Sequence, residues 1–469
     1  MTETDVVRLG FEGPGPYENR LTWAQIWWQH HSGLFDPKDL PNTTLTLKIP
    51  LPDKAVLGDV LKAIRLTVER NESLRTKYPV GPDGTRRQAA CERGTVSVVL
   101  HRLDSGADTN AVADNLRSSL TNQIIDLSEE WPVRFAVVLA DDRPDYLIVA
   151  ADHIAIDGIG KINLIRQLNS LMGDGGSLRD DRTPIWQPRH QVVKEAGAEA
   201  RHSSEQAVSH WEGVLGRLPT GLFAPALPSP TYPRIQMVRL ESRALELAAV
   251  VVAGKYRTTV SNALLAAAET ILGIHLGVSQ PFYEISVANR RERSEREAIG
   301  AFVQSMPVSV SLAGADFGDI VRSTGRAAML AYRHSHYDPA SLSPVLDRFN
   351  HAFGTTVDFT YRFNDARIPR SERLIEVTAQ DIEKARSRTT LAGAADTDWS
   401  SGPRALFMLT GLPSDDRITL SLFFDTQYFT PDQAQHMLRG MESLLICGSR
   451  RELAPADIAK IVMNAEAAG

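Results

Sequence analysis

Short apolar alternations take turns with helical spacings along the first part of the chain. Thr43 to Ile49, TTLTLKI, alternates with a period of two and predicts a strand. Val56 to Asn71 places Val60, Ala63, Ile64, Thr67 and Val68 on one side of a helix. Strand patterns recur at Val96 to Leu100, Val133 to Leu139 and Leu147 to Ala151, with a helix at Ala111 to Gln123 between them. A helix-like segment starts directly after Gly158.

Punctuation then interrupts the pattern. Gly173 to Gln187, GDGGSLRDDRTPIWQ, reads as a loop, because Gly, Asp and Pro disfavour regular elements. A helix is expected from Ala198 to Leu215, and the Pro-rich run LPTGLFAPALPSPTYP after it is the best candidate for a linker. The second part again mixes types: strands at Gln236 to Leu240, Phe282 to Ala288, Met306 to Leu312, Thr355 to Tyr361, Ala405 to Leu409 and Ile418 to Phe424. Helices are expected at Thr259 to Leu276, Phe317 to Tyr332 and Pro431 to Leu445. The sequence therefore predicts an α/β (α+β) protein with two domain-sized cores.

Composition supports that size and removes several functions. The 469 residues are 43% apolar and 23% charged, ordinary globular material. A net charge of −6 with no basic, aromatic-laced stripe gives nucleic acid no footing. The start, MTETDVVRLGFEGPGP, is polar and unlike a signal peptide, and the longest apolar runs, such as Leu247 to Ala253, are too short for a bilayer. A cytoplasmic protein without membrane contact is expected. Cys91 and Cys447 lie far apart in no metal or redox spacing and read as buried thiols. Neither His30 and His31, beside Trp23, Trp27 and Trp28, nor His334 and His336 has a third ligand at a metal spacing, so no metal is expected. Gly173, Gly175 and Gly176 do not follow a strand as a phosphate loop would.

Chemistry gathers at Tyr146 to Gly160, YLIVAADHIAIDGIG. An apolar strand ends in Asp152 and His153, followed at a fixed distance by Asp157 and Gly158. A histidine that handles a proton needs an accessible ring on a loop that is held still, and a carboxylate four residues on can do the holding. Gly158 leaves room for a substrate carbonyl near the backbone.

This stretch resembles the H-H-x-x-x-D-G signature of nonribosomal peptide synthetase condensation domains, in the CoA-dependent acyltransferase superfamily, with Asp152 in place of the first His. Other segments match in the family's order. LTWAQIWWQ (Leu21 to Gln29) resembles S-x-A-Q-x-x-x-W, ERNESLRTKY (Glu69 to Tyr78) resembles R-H-E-x-L-R-T-x-F, and DLSEEWPVRFAVV (Asp126 to Val138) resembles D-L-x-x-x-P-L-R. ANRRERSEREAIGAFVQSMPVSV (Ala288 to Val310) resembles the G-R-x-x-x-E-x-x-x-x-I-G-x-F-V-N-T-x-P-L-R block, with Gln304 for its Asn and Ser309 for its final Arg. LSLFFDTQYFTPDQAQHM (Leu420 to Met437) resembles the C-terminal Y-D-x-x-x-F segment.

The resemblance implies two chloramphenicol-acetyltransferase-like lobes in a V-shaped pseudo-dimer with the active-site tunnel between them. The N-terminal lobe would span 1–180 and the C-terminal lobe 181–469, with a linker at about 176–232 and a polar latch at 367–404 anchored by Trp399. It implies catalytic roles for His153, Asp157 and Gly158, with Asp157 paired to Arg290 from the second lobe. Gln25, Gln304 and Trp399 would line the tunnel. Asp152 beside the imidazole would favour its protonated form, or else would need a partner of its own.

The implied reaction joins an acyl or peptidyl thioester on a carrier protein to an acceptor amine, without a covalent enzyme intermediate. No cofactor is bound; the phosphopantetheine of a partner carrier protein delivers the substrate. No adenylation segment or carrier serine motif occurs in the chain, so a free-standing enzyme is expected, and by resemblance a monomer. An ester-forming acyltransferase using acyl-CoA or a carrier thioester and an alcohol stays open, as does an inactive condensation fold that recruits another enzyme. Asp152 speaks for the inactive reading and His153 against it.

Overall fold

A computed structural model describes residues 3–34, 37–104, 106–173, 185–219, 221–354, 357, 360–367, 377–397, 407–412 and 416–467. Internal contacts divide the chain into two compact units. The first comprises Met1–Arg201 and Ala288–Gln304, the second His202–Val287 and Ser305–Gly469.

The first unit is built on a five-stranded sheet in the order Glu3–Glu12, Arg93–Leu103, Val133–Ala140, Arg143–Ala151 and Leu45–Pro50. Only Arg93–Leu103 and Val133–Ala140 run parallel; the other pairs are antiparallel. Alternation along Val133–Ala140 sends Phe135 and Val137 to one face, where Val60, Ala63, Ile64 and Val68 of helix Leu57–Arg70 and Leu164, Leu168 and Leu171 of helix Gly158–Gly173 close the core. Ala136 and Val138 point the other way, onto Ala113 of helix Thr109–Thr121. With both faces covered, the strand reads from Phe135 to Ala140 as an unbroken apolar run in the sequence.

The second unit carries a seven-stranded mixed sheet, ordered Gln304–Val308, Tyr283–Val287, Tyr361–Asp365, Phe407–Leu412, Ile418–Asp425, Ile235–Ser242 and Thr390–Asp396. Helices Arg243–Lys255, Val260–Leu276, Phe317–Arg333 and Pro431–Arg450 belong to this unit. Among the described residues no single helix is long and apolar enough to cross a membrane.

The division differs from the single boundary at 180/181. It falls inside helix Ala198–Leu215, and the Pro-rich run is not a loose connector: Leu218, Leu222 and Ala224 are buried, and the Ala224 N–H donates to the Tyr361 hydroxyl at 3.1 Å. Ala288–Gln304 also joins the first unit, where Ile299 is buried in the core, although the chain on either side of it belongs to the second. Of the 367–404 segment, the described part contains helix Ala379–Arg386 and strand Thr390–Asp396, the latter paired antiparallel with Ile235–Ser242 in the second unit's own sheet. Trp399 lies outside the described residues. The polar amino terminus supplies the long edge strand Glu3–Glu12. Both cysteines are half-buried free thiols rather than core residues.

Candidate active site

Strand Arg143–Ala151 ends beneath a tight turn that carries Asp152 and His153, and helix Gly158–Gly173 begins six residues later at Gly158. Ile154, Ala155 and Ile156 are buried under the turn, so the loop is seated by its own apolar residues. His153 stands above them, half-buried, with Nδ1 enclosed.

Asp157 holds this loop from below. Its side chain is fully buried, and one carboxylate oxygen accepts from the Gly160 N–H at 2.7 Å, the capping bond that starts the helix. The same oxygen accepts from Arg290 Nη2 at 2.8 Å, and the second takes the Phe302 N–H at 2.9 Å. Arg290, also buried, spreads its other donors over the carbonyls of Glu295, Ala298 and Gly300 at 2.7, 2.7 and 3.0 Å, with its guanidinium over the Phe302 ring. Because Arg cannot lose its proton and its fork meets several acceptors at once, one side chain ties the loop to the whole 288–304 segment. The Arg290–Asp157 pair thus lies wholly within the first unit, and Arg290 does not come from the second, because Ala288–Gln304 packs with the first.

Gly158 is exposed, and a Cβ there would meet nothing within 4 Å. Close approach is required two residues later instead. A Cβ on Gly160 would lie 2.9 Å from the Gly300 carbonyl oxygen, so the helix can lie against that segment only without a side chain.

Asp152 has a partner of its own within the turn. One oxygen accepts the Ile154 N–H at 2.8 Å, closing the turn, and burial of the carboxyl group raises its pKa against the opposing influences of that bond and of Arg86. Gln25 is buried as well. Its amide nitrogen is 3.3 Å from both the Tyr78 hydroxyl and the Ile154 carbonyl, and its oxygen accepts the Thr22 N–H at 2.9 Å. That makes it a brace for the histidine loop. Gln304 is buried with its side-chain oxygen 3.2 Å from Asn289 Nδ2. One neighbour escaped the sequence reading: the Trp28 ring stacks on the His153 ring with centroids 4.2 Å apart and planes 20° apart.

Three other histidines have local partners. His31 is buried with Nδ1 2.7 Å from the Trp27 carbonyl, and His210 and His334 stack with centroids 5.7 Å apart. Among the described residues no three His, Cys, Asp or Glu side chains come together as a metal-ligating group.

A family model, the condensation domain, matches residues 21–468. The chain belongs to the condensation domain family. As such domains are acyltransferases, acyl transfer is the general class of chemistry for this condensation domain. Relatives include the AMB antimetabolite synthetase AmbB of Pseudomonas aeruginosa, 26% identical over 263 residues, 55% of this chain and 21% of the relative. The nonribosomal peptide synthetase acrB of Aspergillus aculeatus is 25% identical over 335 residues, 67% of this chain and 21% of the relative. This condensation domain thus spans about a fifth of the length of these relatives. Among solved structures, the condensation domain of the monacolin K polyketide synthase MokA shares the fold, with a TM-score of 0.71 at 16% identity over 93% of this chain and 98% of that one. The starter condensation domain of rhizomide synthetase RzmA, a mutant bound to C8-CoA, gives 0.67 at 15% identity over 94% and 96%.

Proposed function

We propose that this condensation domain joins an acyl or peptidyl group, held as a thioester on a carrier protein's phosphopantetheine arm, to an acceptor amine. The amine nitrogen attacks the thioester carbonyl carbon and the carbonyl π pair moves onto oxygen. Collapse of the adduct breaks the carbon–sulfur bond, leaving an amide and a thiol. His153 takes the proton the amine must lose, and that proton ends on the departing sulfur. The supporting observation is the seating of His153 at the end of a strand, on a turn locked by the buried Asp157–Arg290 pair. With Nδ1 enclosed, Nε2 is the nitrogen assigned to the substrate. Asp157 and Arg290 act by keeping the loop still, and Gly158 leaves space beside it.

Purified protein offered carrier-bound and CoA-bound acyl thioesters with mixed amines and alcohols, read by mass spectrometry, tests this. A new amide is expected, reduced about 100- to 10,000-fold in His153→Ala, the usual contribution of a general base. An ester product would replace the amide reading with alcohol acylation. Silence of both proteins across a panel containing the pathway's own carriers would sink catalysis in favour of recruitment.

A further inference from the structure

An imidazole that accepts a proton becomes a cation, and what faces the ring sets how readily it does so. The carboxylate next in sequence, Asp152, is committed to the Ile154 N–H, and Asp157 to Arg290, Gly160 and Phe302. Trp28 faces the ring, near parallel and in contact. We propose that Trp28 is a positioning residue for His153, fixing the plane of the imidazole and stabilising its protonated form through the face of the indole. The catalytic part of this proposal rests on the function assigned to His153 above; the stack itself does not.

Trp28 is placed firmly enough for that work. It lies on helix Trp23–Ser32 and packs against the buried group Leu21, Tyr78, Ile154 and Ala155, so the same apolar cluster seats the tryptophan and the histidine loop. The helix start is fixed by a capping box between Thr22 and Gln25, and by the buried Glu195 carboxylate, whose two oxygens lie 3.1 and 3.0 Å from the Trp23 N–H. A carboxylate there also suits the positive end of the helix dipole. Gln25 then ties the helix to the loop through the Ile154 carbonyl. The stack is held from both sides.

A face-on indole leaves the ring's edge, and therefore Nε2, to the substrate. Its quadrupole attracts a cation more strongly than that of Phe, and an aliphatic side chain offers none. Among the described residues, the other titratable and charged groups around the loop include Asp152, Arg86, Glu72 and Tyr78, the last with its hydroxyl pKa pushed up by burial; Trp28 adds the aromatic face to this set.

Two readouts on Trp28→Phe, Trp28→Leu and His153→Ala decide the matter, after circular dichroism has confirmed folded variants. The first is intrinsic tryptophan fluorescence between pH 5 and 9. A protonated imidazole against indole quenches it, so the wild type should show a titration step that both His153→Ala and Trp28→Phe abolish. Absence of the step, or its survival in Trp28→Phe, overturns the stack whether or not any product forms. The second is the pH profile of product formation. Trp28→Leu should lower the apparent pKa of the ascending limb by about half to one unit and reduce kcat about 3- to 10-fold with KM little changed, Trp28→Phe falling between. An unmoved pKa overturns the stabilising role, whereas an inactive wild type with an intact fluorescence step would refute the proposed function and leave the stack standing.

Discussion

Glu269 is fully buried in helix Val260–Leu276, with one carboxyl oxygen accepting the Thr324 hydroxyl at 2.6 Å and the other lacking a hydrogen-bond partner among the described residues. Burial pushes its pKa up to about 8 from 4.5, a shift that the Thr324 bond only partly opposes, so the group is carried mostly protonated near neutrality. The unfolded chain ionises the same group at an ordinary value. Stability from this residue is therefore fully present below about pH 4.5 and is lost as pH rises to about 8, on the order of 3 kcal/mol by pH 7. Urea unfolding should give a wild-type stability that declines between pH 5 and 8, and Glu269→Gln should flatten that decline. Parallel slopes for the two proteins would refute the assignment. The shift is invisible in sequence, where Glu269 is one acid in an apolar helical stretch.

Helix Gly158–Gly173 is positioned by the absence of an atom. Gly160→Ala would place a Cβ 2.9 and 3.1 Å from backbone oxygen and nitrogen of Gly300 and 3.0 Å from Ile156 Cγ1, and backbone cannot swing aside as a flexible side chain can. Overpacking of this kind costs about 1–3 kcal/mol. Thermal melting should fall accordingly, and product formation should fall with it because the shift is transmitted to the Asp157 cap. A Gly158→Ala control, where nothing lies within 4 Å, should leave the melting temperature close to wild type. Elements with a clear period were legible beforehand: helix Ala198–Leu215 matches its expected bounds, and strands Val133–Ala140 and Ile418–Asp425 differ by one residue at most. Strand Thr390–Asp396, TLAGAAD, was not, because an edge strand of small residues has no apolar alternation. The Asp157–Arg290 pair followed from motif order, whereas Trp28 on His153 joins two segments with no shared pattern, and Gly160 against Gly300 depends on helix packing that spacing does not encode.

For the molecule as a whole, the consequential fact is that the first unit borrows Ala288–Gln304 from beyond a long stretch of the second. Without that segment Asp157 loses Arg290 and the Phe302 N–H, Ser73 loses the Ile299 carbonyl at 2.8 Å, and the core loses Ile299. Stripping one partner from a buried ion pair alone costs about 3–5 kcal/mol, comparable with much of a domain's stability. A fragment of residues 1–201 should accordingly lack cooperative thermal unfolding and show little amide protection along the His153 loop, in contrast to the full chain; a sharp, native-like melt of the fragment would contradict this. During synthesis the same dependence becomes a matter of time. Phe302 follows Asp157 by 145 residues, which at ~5–20 residues per second is roughly 7 to 30 seconds of translation. Through that interval a carboxylate destined for burial waits at the ribosome unmatched, so the histidine loop is among the last parts of its unit to set, although all five strands of its sheet are made before Ala288–Gln304 emerges.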